Sequence, residues 1–253
     1  MKQPFLSVVI PCFDEMGNLQ KGVLEKVKNF LSKKDFSYEV IIVDDGSKDG
    51  SAKFIKDFVL ENPQFRLIQI SHFGKAGAVT KGVLQAKGEY VLFTDMDQAT
   101  PIEEVDKMLP FFEDGYDIVI GSRGSVRKGA PWTRALMGSG MIFLRSIIVG
   151  LGNIKDTQCG FKMFRSKPAE KLFAAIDMLH NGFHKVGGSS VSAGFDVELL
   201  YLARQLGYKI KEVPVRWLYV ETRRVNPIHD SIEAFFDLLR IKKNALTGRY
   251  RNL

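Results

Sequence analysis

EYVLFTDMDQATPIEE, residues 89–104, is the stretch on which the fold turns. Its first part, EYVLFTD (89–95), is a run of β-branched and aromatic residues, the pattern of a strand covered on both faces. A helix start follows at once, with Thr100 as N-cap, Pro101 in the first helical position and Glu103 closing a capping box. The loop 95–99 is therefore expected to be pinned between a strand end and a helix start. Working outward, the pattern repeats. FLSVVIPC (5–12), YEVIIVD (38–44), FRLIQIS (65–71) and YDIVIGSR (116–123) read as strands, and 16–32, 49–62 and 75–87 as helices. Such alternation predicts an α/β fold, a doubly wound and mostly parallel sheet with helices on both faces.

After residue 123 the alternation is less regular but continues, through FKMFR (161–165), a helix over 195–206, YKIKEVPVRW (208–217) and a closing helix over 228–247 with a basic end. No repeat, low-complexity tract or linker divides the 253 residues, so a single domain is expected over 1–253. Its first part, 1–122, would be a nucleotide-binding half. Residues 123–253 would be an acceptor half containing an amphipathic helix over 133–152.

A net charge of +7 implies an anionic partner: nucleotide phosphates, an acidic membrane surface or nucleic acid. No basic stripe interleaved with aromatics supports nucleic acid. Two cysteines, Cys12 and Cys159, and no charged leader followed by an apolar core point to a reduced, cytoplasmic setting. Residues 135–154 (ALMGSGMIFLRSIIVGLGNI) are about long enough to cross a bilayer, but Arg145 lies in their middle. Small or polar pairs recur there every seven residues, which leaves a buried helix, an interfacial helix and a true span as readings.

In doubly wound sheets ligands bind at the carboxyl ends of the strands. Three such ends are acidic here: Asp14 and Glu15, Asp44 and Asp45, and Asp95 and Asp97. Carboxylates gathered at one edge repel unless a cation joins them, and Mg2+ or Mn2+ carrying a diphosphate would do so. Asp14, Asp44 and Asp49 serve equally well as turn formers or helix caps. Asp95-Met96-Asp97 resists that reading, because Thr100 is the expected cap. No glycine-rich phosphate cradle competes.

VVIPCFDE (8–15), VDDGSKDGS (43–51), DMD (95–97), GSR (121–123) and DTQCGFKMF (156–164), in this order, resemble the family 2 glycosyltransferases of the GT-A fold. Within it they are most similar to polyprenyl-phosphate glycosyltransferases of the dolichyl-phosphate glucosyltransferase and mannose synthase type. The resemblance spans about residues 5–245. It implies inverting transfer of a hexose from a UDP- or GDP-sugar to a polyprenyl phosphate, peripheral to the cytoplasmic face of a membrane.

The resemblance places Pro11, Phe13, Glu15, Val43 and Asp45 around the base and ribose. It places Asp95 and Asp97 at the ribose, diphosphate and metal, with Asp97 as the direct ligand. Lys75 either holds the nucleotide or is a solvated lysine at a helix start. The family usually has alanine between the two aspartates, so Met96 would narrow the sugar pocket. Arg123 ends a strand at the same edge, where its planar fork can grip phosphate.

An ionised phosphate acceptor needs positive charge rather than a base. Arg123, Arg127, Lys128 and Arg134 flank the apolar stretch, and Arg223 and Arg224 follow the last strand. A hydroxyl acceptor would instead need a carboxylate to take its proton, for which Asp196 is the candidate. The four histidines are read as structural or exposed, Cys159 as a packed small residue, and 178–194 as a lid over the site.

Overall fold

A computed structural model describes residues 3–123, 144–152, 154–184, 193–218 and 227–250. Its centre is a seven-stranded sheet in the order β3-β2-β1-β4-β6-β5-β7. The strands are β1 (Leu6–Cys12), β2 (Tyr38–Asp44), β3 (Phe65–Gln69), β4 (Tyr90–Thr94), β5 (Ile118–Ser122), β6 (Phe161–Arg165) and β7 (Ile210–Pro214). The helices are α1 (Met16–Gln20), α2 (Val23–Leu31), α3 (Ser51–Glu61), α4 (Gly74–Val83), α5 (Val105–Glu113), α6 (Ser166–Leu179), α7 (Ala193–Gln205) and α8 (Pro227–Leu246), with a helical stretch at 144–149.

All strand pairs are parallel except those of β6, which is antiparallel to both β4 and β5. One sheet thus takes strands from both parts of the chain, so residues 1–122 do not hold a complete sheet of their own. Because side chains alternate along a strand, the sheet feeds two cores. Leu6, Val8, Ile10, Val40, Ile42 and Leu92 pack under α2 and α5 on one face. Val9, Ile41, Val43, Val91 and Phe93 pack under α4, α6 and α7 on the other.

Two local expectations fail. The helix foreseen over 16–32 breaks in two at Gly22, whose φ of 72° is left-handed and open to glycine at no steric cost. Thr100 caps nothing: its Oγ1 is buried 3.8 Å from the Cys159 Sγ, and the chain enters a 3-10 turn (Ile102–Glu104) with no side-chain cap. The loop 95–99 is held from within instead, by Asp97 Oδ1 accepting from the Ala99 N–H at 3.0 Å and Gln98 Nε2 donating to the Asp95 carbonyl at 2.8 Å.

Among the described residues no helix is long and apolar enough to cross a membrane. Half of the apolar stretch 135–154 lies outside them. Within it, Arg145 is buried and donates to Thr157 Oγ1 and the carbonyls of Ile154 and Lys155 at 2.8–2.9 Å. Its charge therefore braces a loop inside the protein and does not face a lipid boundary.

Candidate active site

The carboxyl ends of β1, β2, β4 and β5 meet at one edge, and the antiparallel run of β6 brings its own start there too. Residues 156–160, which lead into β6, therefore stand beside Asp95 and Arg123, more than thirty positions away in sequence.

At the β1 and β2 ends, Asp45 is buried, and its carboxylate accepts from the Phe73 N–H at 2.7 Å and lies 2.8 Å from His72 Nδ1. Burial raises the Asp45 pKa, only partly offset by those two partners. The His72 ring stacks on Phe13, 4.0 Å between centroids and 11° between planes. Phe13, Asp45 and His72 thus form one preorganised cluster, and His72 is a member that sequence reasoning left out. Asp14 accepts from the Lys48 N–H at 2.7 Å, Asp44 from Ser47 N–H at 3.2 Å and Asp49 from Met16 N–H at 2.9 Å. Asp14 and Asp49 tie the β1 and β2 loops together and Asp44 closes its own turn, the turn-forming reading. Glu15 accepts from Asn18 Nδ2 at 2.6 Å, and Pro11 is half-buried in β1.

At the β4 end, Lys75 Nζ lies 2.5 Å from Asp95 Oδ1. Burial alone would lower the Lys75 pKa, but Asp95, Asp196 and Asp97 outweigh it and the pKa is raised. Asp95 can sit where it does because residue 160 is glycine: a Cβ there would fall 2.5 Å from Asp95 Cγ and closer still to Oδ2. Asp196, in the first turn of α7, is held by Lys162 of β6, whose Nζ donates to Asp196 Oδ1 and the Cys159 carbonyl, each at 2.6 Å. Lys162 is wholly buried over the Phe93 ring. Among the described residues, Lys75 thus feels Asp95, Asp97 and Asp196, while Lys162 holds Asp196.

Arg123, just past β5, makes a two-pronged contact with Asp156, Nε and Nη2 each 2.8 Å from a carboxylate oxygen, while its N–H donates to Oδ2 at 3.0 Å. Burial opposes both charges, yet the pairing lowers the Asp156 pKa and raises that of Arg123. Glu212 of β7 fixes Asp156 from behind, accepting from its N–H at 2.7 Å.

Residues 7–173 match the family described as Glycosyl transferase family 2. The chain belongs to this family. As a family 2 glycosyltransferase it is 34% identical over 98% of its length to a dolichyl-phosphate beta-glucosyltransferase of Dictyostelium discoideum, covering 76% of that protein. A protein of the same name from Saccharomyces cerevisiae is 32% identical over 98% of this chain and 77% of its own. Among solved structures, a mannosyltransferase from Pyrobaculum calidifontis in complex with GDP-Man and Mn2+ superposes with a TM-score of 0.57 at 16% identity. It covers 98% of this chain and 75% of its own, and the likeness is one of fold, the GT-A architecture.

Of the expected site residues, the edge of this glycosyltransferase gathers Phe13, Glu15, Asp45, Lys75, Asp95, Asp97, Arg123 and Asp196. Two do not belong. Met96 is 2% exposed and packed in the core beneath α2 and α5, so it does not narrow a sugar pocket. The strand-end alternation turns it inward while Asp95 and Asp97 stay outside. Val43 is wholly buried against α4, on the face opposite Asp44, and its side chain lines no open site. Arg127, Lys128, Arg134, Arg223, Arg224 and residues 185–192 of the expected lid lie outside the described residues. Asp156, Gly160 and Lys162 were missed as individuals although their motif was noticed. A lysine inside the apolar strand FKMFR was the available signal, since a buried ammonium needs a carboxylate.

Proposed function

We propose that this glycosyltransferase moves glucose from a nucleotide diphosphate to a polyprenyl phosphate of the dolichyl type, as a peripheral protein at the cytoplasmic face of a membrane. The observation that carries the reading is near-full-length similarity to proteins named dolichyl-phosphate beta-glucosyltransferases. The geometry supports it: the Arg123 guanidinium, its Nε and Nη2 held by Asp156, fixes a positive charge at the edge that holds the paired aspartates, where a phosphate acceptor would lie beside a diphosphate donor.

The donor set fits a hard divalent cation, because Asp95 and Asp97 offer carboxylate oxygens two residues apart at the end of β4. Among the described residues no trio of metal-ligating side chains occurs, so diphosphate and water oxygens would complete the shell. When bound, Mg2+ or Mn2+ would neutralise charge on the departing diphosphate. The protein does the rest by position. Phe13, Glu15 and Asp45 hold the nucleoside, and Lys75 reaches the phosphates from Asp95. Arg123, oriented by Asp156, sets the acceptor phosphate in line with the anomeric carbon. A phosphate oxygen forms the new bond to that carbon as the bond to the diphosphate breaks, inverting its configuration. The acceptor, ionised at neutral pH, gives up no proton and needs no base. Asp196, already bound to Lys162, acts by charge and position.

The test supplies the protein with Mn2+ or Mg2+ and a short polyprenyl phosphate, and either UDP-glucose or GDP-mannose, and seeks the lipid-linked sugar by mass spectrometry. A glucosylated product that disappears in Asp97→Ala is expected. Donor turnover on a sugar hydroxyl, with no lipid product and with loss in Asp196→Asn, would overturn the reading.

A further inference from the structure

We infer that the outward face of α8 is a docking surface for an anionic lipid bilayer. The inference deepens the membrane part of the function proposed above by naming the surface that meets the lipid. Helix α8 is two-sided. Leu238 and Ile241 are buried in the core shared with α7, while Ile232 (53% exposed), Phe236 (63%), Leu239 (41%) and Leu246 (74%) point to solvent. Their spacing of four, three and seven residues puts them in one stripe along the helix. Single exposed apolar residues are ordinary, but four large ones in line on one helix mark an interaction site.

The flanks identify the partner. Lys242 and Lys243 are exposed beside and within the stripe, and Arg240, paired with Asp237, extends the same flank. Large apolar side chains among long cations are the signature of a helix lying in the plane of a bilayer, where aliphatic stems and rings enter the acyl boundary and the cations meet anionic headgroups. The chain's net charge of +7 adds to the attraction. A second copy fits less well, because an isologous contact would take the cations of both copies out of water without supplying the anions that headgroups offer.

The inner side of α8 connects this surface to the chemistry. Asp237 accepts from the Gly194 N–H at 2.8 Å, two residues before Asp196, and it pairs with Arg240 at 2.9 Å. Ala234, Asp237 and Leu238 also line a small cavity with Arg145 and Thr157, next to Asp156. The helical stretch 144–149 that carries Arg145 exposes Leu144 and Ile147 as well. A bilayer against α8 would therefore lie one helix away from the residues proposed to receive a lipid-linked phosphate.

The experiment measures co-sedimentation of the full chain with phosphatidylcholine vesicles, with and without phosphatidylglycerol and free of polyprenyl phosphate, so that sugar transfer plays no part in the result. Binding to the anionic vesicles that weakens with salt is expected. It should fall about tenfold or more in Phe236→Asp/Leu239→Asp and, by charge alone, in Lys242→Glu/Lys243→Glu. Thermal melting checks that the variants fold, and transfer to a water-soluble short-chain acceptor should stay as in the parent protein. Absence of binding by the parent protein, equal binding by the folded variants, or a dimer in sedimentation equilibrium that Phe236→Asp/Leu239→Asp dissolves would each overturn the assignment.

Discussion

Lys75 Nζ is 2.5 Å from Asp95 Oδ1, so the site without substrate already holds a cation against the carboxylate assigned to metal and diphosphate. Two positive charges a few ångströms apart repel appreciably even at the effective dielectric of a protein surface. Replacing Lys75 by Met should therefore tighten Mn2+ binding in the absence of nucleotide, by about tenfold. The same change should raise the KM for the sugar nucleotide, since an ammonium facing phosphate is lost. Mn2+ titration by electron paramagnetic resonance, set beside steady-state kinetics, separates the two effects. Weaker Mn2+ binding in the variant would show that Lys75 does not compete with metal.

Gly160 has no room for a side chain against Asp95. Gly160→Ala should push the Asp95 carboxylate out of place and reduce transfer by about a hundredfold, the order expected for a misplacement near 1 Å. The strain should lower stability by about 1–3 kcal/mol. Urea denaturation and kcat/KM measured on one preparation check both numbers. Unchanged activity would mean that the position of Asp95 is unimportant.

Lys162 and Asp196 form a buried pair 2.6 Å apart. Lys162→Met leaves a carboxylate without its ammonium and should cost about 3–5 kcal/mol. The double variant Lys162→Met/Asp196→Leu should recover most of that stability, because neither charge is then stranded, while transfer stays low. If the double variant regained activity along with stability, the pair would be architectural only.

Glu198, in α7, lies 2.8 Å from His180 Nε2 and accepts from the Tyr250 hydroxyl at 2.6 Å. Burial opposes the charge, but His180 and Tyr250 outweigh it and lower the Glu198 pKa below its ordinary value of 4.5. A carboxyl that is more acidic folded than unfolded contributes stability in full above the unfolded pKa and loses it as pH falls through the folded one. Glu198→Gln should therefore lower the melting temperature at neutral pH, and the gap from the parent protein should close below about pH 4.5. Melting curves from neutral to acid pH test the sign. A gap that widened in acid would reverse it.

The strands were legible because each is a short, largely apolar run set between polar or turn-forming residues. β2 and β6 fall where the hydrophobic pattern put them, and the other strand limits differ by a few residues. Local patterns succeed where one stretch of chain settles the outcome. They failed where a distant group decided: Thr100 looks like a cap until Cys159 is seen against it, and Met96 looks like part of a pocket until the strand's inward face claims it. The paired aspartates and Arg123 stood out as candidates because repulsion or a planar guanidinium is written in the side chains themselves. Asp156, Gly160 and Lys162 act only through partners on other strands, and those distances are set by the topology of β6.

The placement of β6 also bears on how the chain comes to be folded. The strand that closes the gap between β4 and β5 leaves the ribosome some forty residues after β5 does, and until then two apolar strands have bare edges toward each other. Assembly of the central sheet is thus a late, long-range event, slower than local pairing and exposed to edge-to-edge aggregation while it waits. A fragment stopping at residue 122 should be insoluble rather than a small independent nucleotide-binding unit, since evolution has placed the keystone of its sheet downstream of it.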